Sequence, residues 1–437
     1  MIPTRRLALL AAVLALVAVA LNFAFPWGLL VINVPLMALA LVDRHSAPDP
    51  DSVVVDRTAP SILTLGGNGC VTWTVHNPLA RPVRCDVSDT LVDSLQPTQR
   101  EFHLTIPSSG SATATAIIEP LRRGRFDFSE MTVRTYGVLG LVARQRDRRG
   151  PTVNHTLRVM PPFRAKQEAE LRIRKARITE VGVRSAQGRG GGTEFDQLRE
   201  FTPDDEFRRI DWAATARSTR PIVRTYRAER NQNVALMVDT GRVMAAKVQG
   251  VSRFEHAIDA ALMLTYVATQ LGDRAGLITF GEKVRTVVPL SAQRQQTQRV
   301  TEALYALETE LVESDFRAAF SGAVAHFKRR AMLVVFTDLN LSSVMESIMP
   351  VLPLVARRNV IVIAAIQDPD VVAWAASSPA TSEEVYRQAA AVAARDDRRK
   401  AAQLVGKYGV KVIDAPPGKI AHLLADQYLE LKASGTL

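Results

Sequence analysis

The order of apolar and polar positions changes twice along this 437-residue chain. Residues 7–42 are almost continuously apolar, and residues 52–159 then show short alternating runs separated by turn residues. After residue 233, apolar runs of strand length alternate with longer segments in which apolar residues recur every three or four positions. A period of two predicts half-buried strands, whereas spacing of three and four predicts amphipathic helices. The chain is therefore expected to join an apolar N-terminal segment to an all-β region and an α/β region.

The α/β region, 234–437, is predicted to be a parallel sheet covered by helices on both faces. Its strand candidates are almost entirely apolar, which is typical of strands buried on both sides. Strands are expected at 234–239, 275–280, 284–288, 331–338, 360–366 and 410–413. Helices are expected at 254–271, 292–308, 316–330, 344–357, 382–408 and 418–431. In an open sheet of this kind, ligands bind beyond the carboxyl ends of the strands.

The region 46–160 is expected to be an all-β sandwich that follows a polar linker at 46–51. Short strand candidates succeed one another at regular spacing, with no helical pattern between them. A basic connector and a charged segment then occupy 161–233. Two cysteines, Cys70 and Cys85, exclude a disulfide-rich scaffold and are better explained as small hydrophobes on strands than as a bridge.

The N-terminal apolar stretch predicts a transmembrane hairpin over residues 1–45, with spans at about 7–25 and 27–42. Pro26 breaks the run between the two spans. Arginines flank both ends of the hairpin and none lies at its tip, so both ends and the bulk of the chain are expected in the cytoplasm. A cleaved signal peptide is the alternative, although cleavage would leave the second apolar run in place. A multi-pass location in the cell membrane, in contact with the lipid bilayer, is expected.

A dense set of motifs between residues 188 and 239 resembles the domain-of-unknown-function-58 family of bacterial proteins. The motifs are Gly192-Thr193-Glu194-Phe195, Leu198-Arg199-Glu200-Phe201, Arg208-Arg209-Ile210-Asp211-Trp212, Ala216-Arg217 and the strand VALMVD at 234–239. The resemblance implies a von Willebrand factor A-like domain, which is a Rossmann-type α/β fold, for residues 234–437. The preceding sandwich and membrane hairpin are similar to that family as well.

The same resemblance implies a metal site at the carboxyl edge of the sheet. In the family pattern, Asp-x-Ser-x-Ser is joined by a later threonine and a later aspartate. Here the pattern begins at Asp239, but both serines are missing. Ser314 lies near the threonine position and Asp338 matches the later aspartate, so a degenerate site of these three residues is expected. Either Mg²⁺ binds there, or Arg242 pairs with one of the two aspartates instead.

The charged segment supplies a second group of candidates, which share charge or aromatic character. They are Glu194, Phe195, Arg199, Arg208, Arg209, Asp211, Trp212 and Arg217. These residues either dock a partner or brace the fold. Trp212, with Ile210, is favoured as a buried anchor because aromatic residues in such segments usually pack.

A protein-interaction scaffold at the membrane is favoured over an enzyme, with no catalytic residue and no cofactor expected. Its docking surface is expected at the sheet edge around Asp239, Ser314 and Asp338, with or without a metal. The family resemblance implies a MoxR-type AAA+ ATPase as partner, in a chaperone-like or assembly role. A metal-dependent hydrolase using Asp239 and Asp338 is one alternative, but the sequence offers no obvious base or nucleophile. The net charge of +11 raises nucleic-acid binding as another. Because the arginine clusters contain few aromatics, no nucleic acid is expected. Attraction to anionic lipids is a simpler role for them, and ordinary solvated charge accounts for most of these residues.

Overall fold

The structure, a computed structural model, describes residues 2–20, 27–187, 194–203, 205, 207–227 and 232–437. The chain divides into two compact units, Met1–Met160 and Pro161–Leu437. The architecture is mixed α/β with several sheets, one of which is largely parallel.

The first unit begins with two helices, α1 (Arg5–Ala20) and α2 (Trp27–Ser46), and continues as strands. The strands are β1 (Val54–Thr58), β2 (Ile62–Thr64), β3 (Gly69–His76), β4 (Val83–Asp89), β5 (Glu101–Ile106), β6 (Ser111–Ile118), β7 (Gly124–Phe128), β8 (Met131–Tyr136), β9 (Val142–Arg148) and β10 (His155–Met160). They form sheets of order β1-β3-β6, β2-β10-β7 and β9-β8-β4-β5, and the short strand Ile2–Pro3 pairs with the outer side of β9.

These sheets share one core, in which a polar group of three residues is embedded. Trp73 on β3 donates from Nε1 to Asp89 Oδ2 at 2.7 Å. Arg57 on β1 donates from Nη1 to both oxygens of Asp89, at 2.7 and 2.8 Å, and both side chains of this pair are fully buried. Because each charge is paired, the group is compatible with an apolar core. Both cysteines lie on strands as free thiols, Cys85 buried and Cys70 exposed.

The C-terminal end of α2 is joined to the turn between β8 and β9 by a buried aspartate. Asp43 accepts hydrogen bonds from the backbone N–H groups of Leu139 at 2.8 Å, Leu141 at 2.7 Å and Val142 at 3.0 Å. A Cβ atom at Gly137 would overlap the carboxyl group of Asp43. Glycine is therefore required at the start of this turn, because the helix end and the turn are in direct contact.

The segment 46–51, expected to be a linker, is instead bound along β9. Arg144 donates to Asp49 at 2.6 Å, and Arg146 pairs with Asp51. Other arginines of the expected basic cluster are paired in the same way, Arg125 with Asp127 and Arg149 with Glu130. Much of the positive charge in this unit is thus balanced by neighbouring carboxylates.

Helices α1 and α2 occupy the region of the predicted hairpin. Within the described part of the chain, no helix combines the length and the hydropathy that crossing a bilayer requires. The predicted spans at about 7–25 and 27–42 therefore find no support, and residues 21–26 lie outside the described residues.

The second unit begins with α3 (Lys166–Gln187), so the expected connector is partly helical. Ala169 and Ile173 of this helix are buried in the core of the unit. The charged segment forms an antiparallel hairpin of β11 (Glu194–Glu200) and β12 (Ile222–Arg227). A 3₁₀ turn at Phe207–Arg209 and the short helix α4 (Trp212–Thr215) lie between these two strands.

Beyond this hairpin, strands and helices alternate as expected. They are β13 (Asn233–Asp239), α5 (Arg242–Ala245), α6 (Arg253–Gln270), β14 (Arg274–Phe280), β15 (Val284–Ser291), α7 (Gln296–Tyr305), α8 (Phe316–His326), β16 (Met332–Phe336), α9 (Leu352–Ala356), β17 (Val360–Ile366), α10 (Pro369–Ala376), α11 (Ser382–Gly406), β18 (Lys411–Ala415) and α12 (Ile420–Ala433). Helical turns at Leu341–Ser343 and Val344–Ile348 precede α9, so the single helix expected at 344–357 is interrupted. Helix α10 was not predicted.

The central sheet has the order β15-β14-β13-β16-β17-β18. All neighbours in it are parallel except β15, which pairs antiparallel with β14. The order corresponds to 3-2-1-4-5-6 along the chain, as in doubly wound sheets. Val234, Leu236 and Val238 belong to the core beneath α6 and α12, whereas Ala235 and Met237 belong to the core beneath α8. The continuous apolar run of β13 is thus explained by burial on both faces.

Candidate functional site

Asp239 lies at the carboxyl end of β13 and is fully buried. Its Oδ1 accepts hydrogen bonds from the Gly241 N–H at 2.7 Å and the Ser314 hydroxyl at 2.5 Å. Its Oδ2 accepts one from the Thr337 hydroxyl at 2.6 Å. Burial raises the pKa of Asp239, although these three donors act in the opposite direction. Both oxygens of this carboxyl group are therefore already engaged within the fold.

Asp338 follows β16 at the same edge and is held by two guanidinium groups. Arg398 of α11 donates from Nη1 to its Oδ1, and Arg253 at the start of α6 lies 3.1 Å from its Oδ2. Arg398 also donates to Asp414 Oδ1 at 2.6 Å and to the carbonyl of Ile366 at 3.3 Å. Burial acts to lower the pKa of Arg398, but the two aspartates outweigh it and raise the pKa. One arginine thus joins the ends of three neighbouring strands.

The three expected site residues do meet at one edge of the sheet, together with hydroxyl groups. A cavity of about 30 Å³ adjoins Asp239, Ser314 and Asp338. This volume corresponds to about one water molecule. Among the described residues, no three His, Cys, Asp or Glu side chains are grouped closely enough to hold a metal ion. The hydrolase alternative would have to use two aspartates whose oxygens already face internal donors.

Arg242 does not pair with either aspartate, contrary to one of the two expectations. Its guanidinium instead donates to Glu313 at 2.6 Å on the surface. The arginines that do bind Asp338 are Arg253 and Arg398, and neither was predicted from the sequence. Arg398 lies 60 residues beyond Asp338, and no motif connects them.

A larger cleft of about 670 Å³ opens beside Asp338. Charged residues, including Arg253, Asp368 and Arg395, line it together with apolar side chains such as Val371. Helices α10 and α11 contribute much of this lining, so the position of α11, to which Arg398 belongs, determines part of its shape.

The signature hairpin, defined here as residues 194–227, is braced by charged pairs. Arg199 donates to both oxygens of Asp205, at 2.8 and 2.6 Å, and Thr202 donates to Asp205 from its N–H at 2.9 Å and its hydroxyl at 2.8 Å. Burial alone would raise the pKa of Asp205, but these donors lower it to about 2. Such charge-assisted bonds are among the stronger hydrogen bonds in proteins.

A second pair fixes the short helix of the signature hairpin. Asp211 caps α4 by accepting from the N–H groups of Ala213 at 3.0 Å and Ala214 at 3.1 Å. The same carboxylate accepts from Arg224 Nε at 2.7 Å, and Arg217 donates to the carbonyl of Ala213 at 3.1 Å. Asp211 and Arg217 therefore brace the hairpin, as one of the two interpretations predicted.

Trp212 is not the buried anchor that was expected, because 69% of it is exposed. It is the first residue of α4, a helix of four residues that buries none of them. Ile210 is buried as expected, and Arg208 is exposed. The side chains of three further candidates, Glu194, Phe195 and Arg209, lie outside the described side chains.

Residues 197–403 match the family model described as "Protein of unknown function DUF58". The resemblance stated from the sequence is therefore confirmed over this stretch, which is the DUF58 region of the chain. It includes most of the signature hairpin and the sheet edge at Asp239 and Asp338.

Among curated relatives, the uncharacterized protein Rv1480 of Mycobacterium tuberculosis and the uncharacterized protein Mb1516 of Mycobacterium bovis are each 29% identical over 184 residues. The match covers 42% of this chain and 57% of each relative, so little more than half of their length is represented. A solved structure of the conserved hypothetical protein BatB from Bacteroides thetaiotaomicron aligns with 46% of this chain and 99% of its own, at 11% identity. Its TM-score is 0.29, which is too low to support an argument.

Proposed function

We propose that this protein is a protein-interaction scaffold and that it docks its partner through the signature hairpin. The observation that carries the proposal is the exposure of two aromatic side chains there, Trp212 at 69% and Phe207 at 75%. Tryptophan and other aromatic residues are enriched in interface cores and binding hot spots, because they bury a large area. Arg208 and Arg217 are exposed on the same hairpin and would form a basic rim.

The bracing of the hairpin supports this function. The Arg199–Asp205 and Asp211–Arg224 pairs restrict the turn region that includes Phe207 and Trp212. A surface that is ordered before binding loses less conformational entropy when a partner docks.

The sheet edge is a weaker candidate for docking. Asp239 is fully buried and the Asp338 side chain is 14% exposed, so neither offers its charge to a partner. In this proposal the second unit is a von Willebrand factor A-like domain, and the polar contacts at its sheet edge stabilise the fold. The 3-2-1-4-5-6 strand order and the aspartate that ends β13 support that assignment.

The partner in this proposal is a MoxR-type AAA+ ATPase, which is the class that the family resemblance implies. The test measures binding of the full-length protein to a purified MoxR-type ATPase from the same organism. Trp212→Ala is expected to weaken binding by about tenfold or more, as for an interface hot spot. Trp374→Ala is the matched control, since Trp374 is a 41% exposed tryptophan on α10 of the same unit.

The possible outcomes test the partner assignment and the docking surface separately. If neither the wild type nor Trp212→Ala binds any MoxR-type ATPase, the partner assignment is wrong. If the ATPase binds and Trp212→Ala has no more effect than Trp374→Ala, the docking surface lies elsewhere. Because Trp212 is exposed, an unchanged melting temperature is expected for Trp212→Ala.

The proposal also includes attachment to a lipid bilayer through α1 and α2. Large apolar side chains on these helices are exposed, among them Leu9, Leu16, Val34, Met37 and Val42. Exposed apolar surface of this kind marks interaction sites for membranes or proteins. The full chain is expected to float with anionic liposomes. Leu9→Asp together with Leu16→Asp should abolish flotation, and an unchanged floating fraction would exclude lipid attachment through α1.

A further inference from the structure

The sheet edge at Asp239 and Asp338 is where the family resemblance implies a divalent cation. Two of the oxygen donors that such a cation needs are missing from this chain, at positions 241 and 243. At position 241, a Cβ atom would overlap the Ser314 hydroxyl and approach the carbonyl oxygen of Val312 to 2.9 Å. Ser314 therefore takes the space that a serine at position 241 would need. At the other position, Val243 packs against the apolar core.

The carboxylates of Asp338 and Asp414 are also already paired. Asp338 and Asp414 face Arg253 and Arg398, so two carboxylates are paired with two guanidinium groups. A divalent cation binding Asp338 would have to displace both arginines or lie beside them. Hard cations such as Mg²⁺ require several oxygen ligands in fixed positions. The residues present at this edge do not fit such an ion.

We propose that Arg398, assisted by Arg253, replaces the divalent cation as the fixed positive charge at this edge. Arg398 extends from α11 and joins the ends of β16, β17 and β18 through Asp338, the Ile366 carbonyl and Asp414. Few residues of α11 are buried, namely Ala391, Ala401 and Val405. Because so little of α11 is anchored by apolar burial, this bridge maintains its position and the shape of the cleft that it lines.

This inference stands whether or not the signature hairpin docks a partner, and its test requires no partner. The full-length protein is titrated with Mn²⁺, with binding followed by electron paramagnetic resonance and stability by thermal unfolding. The wild type is expected to show no tight Mn²⁺ site and the same melting temperature in Mg²⁺, Mn²⁺ or chelator. A tight Mn²⁺ site that Asp338→Asn removes would overturn the proposal.

Substitution of the bridge provides the second part of the test. Arg398→Met should lower the melting temperature of the second unit by about 5 °C or more, because Asp414 loses its guanidinium partner and Asp338 keeps only Arg253, while both carboxylates are largely shielded from solvent. Arg399→Met is the matched control. The Arg399 guanidinium is 71% exposed and pairs with Asp396 in the preceding turn, so the melting temperature of this variant should change by less than about 2 °C.

Arg398→Lys retains the positive charge and replaces Arg398→Met in the stability test if Arg398→Met does not fold. A lysine ammonium cannot reproduce the planar fork that binds two carboxylates and a carbonyl at once. We expect Arg398→Lys to recover only part of the lost stability, with a melting temperature between those of Arg398→Met and the wild type. Equal melting temperatures for Arg398→Lys, Arg399→Met and the wild type would show that the bridge is not required.

Discussion

Gly241→Ala is expected to destabilise the second unit, although the backbone at this position suits any residue. Gly241 has φ −75° and ψ −177°, which is ordinary extended conformation. On that basis alone, alanine would stabilise the fold by about 0.4–1 kcal/mol, because it restricts the unfolded chain. The structure predicts the opposite sign, since the added Cβ would overlap the Ser314 hydroxyl and lie 3.1 Å from Asp239 Oδ1.

Two contributions set the magnitude. Forcing an extra carbon into a packed site costs about 1–3 kcal/mol. Displacing Ser314 also removes its hydrogen bond to the buried carboxylate of Asp239, and bonds to charged groups contribute about 1.5–3 kcal/mol. After the opposing gain of about 0.4–1 kcal/mol from the unfolded chain is subtracted, we expect Gly241→Ala to lower the free energy of unfolding of this unit by about 1.5–5.5 kcal/mol.

Urea unfolding of the full chain, followed by circular dichroism, measures this loss in the transition of the second unit. Gly406→Ala is the control, because Gly406 is a helical residue whose Cβ would meet nothing within 4 Å. It should leave stability unchanged or raise it by up to about 1 kcal/mol. The double variant Gly241→Ala/Ser314→Ala should cost less than the sum of the single variants, because the displaced hydroxyl is then absent. Equal effects at Gly241 and Gly406, or strict additivity in the double variant, would refute the reasoning.

Three further predictions concern other parts of the chain. Arg57→Met should lower the unfolding free energy of the first unit by about 3–5 kcal/mol, because Asp89 is left buried without its partner; a loss below about 1 kcal/mol in urea unfolding would contradict this. Because the pKa of Asp205 is lowered, its ionised carboxylate stabilises the fold at pH values above about 4, the ordinary pKa of aspartate. This contribution should disappear as the pH falls from about 4 to about 2. In an NMR titration of the carboxyl carbons, Arg199→Met should move that midpoint upward, and an unmoved midpoint would exclude Arg199 as a cause. Burial raises the pKa of Cys85 to about 12, so a thiol reagent at neutral pH should label this thiol only after unfolding, and rapid labelling of the folded protein would contradict its burial.

The sequence predicted the central sheet well because burial on both faces leaves a local signature. The apolar runs that became β13, β16 and β17 need no long-range information to be identified. Helix α10 was missed because it has only eight residues, most of them apolar, which is too short a segment to show a helical period.

The candidate site was predicted only in part. Asp239, Ser314 and Asp338 follow from strand ends and from the family pattern, and the structure brings them to one edge. The bridge from Arg398 could not be predicted, because its partners come from other elements of the fold and a surface-like arginine on a helix has no distinctive spacing. Trp212 shows the converse error. Its aromatic character suggested burial, but α4, the helix that begins at Trp212, has only four residues and buries none of them.

The attachment of α2 to the β8–β9 turn has a mechanical consequence for the first unit. Asp43 binds three backbone N–H groups of that turn, and the segment 46–51 is paired with β9 along its length. A force applied to the end of α2 would therefore be transmitted to β8 and β9 through these bonds, because segment 46–51 is held against β9 and does not act as a flexible linker. Within this unit, reorienting the end of α2 requires the β8–β9 turn to rotate with it.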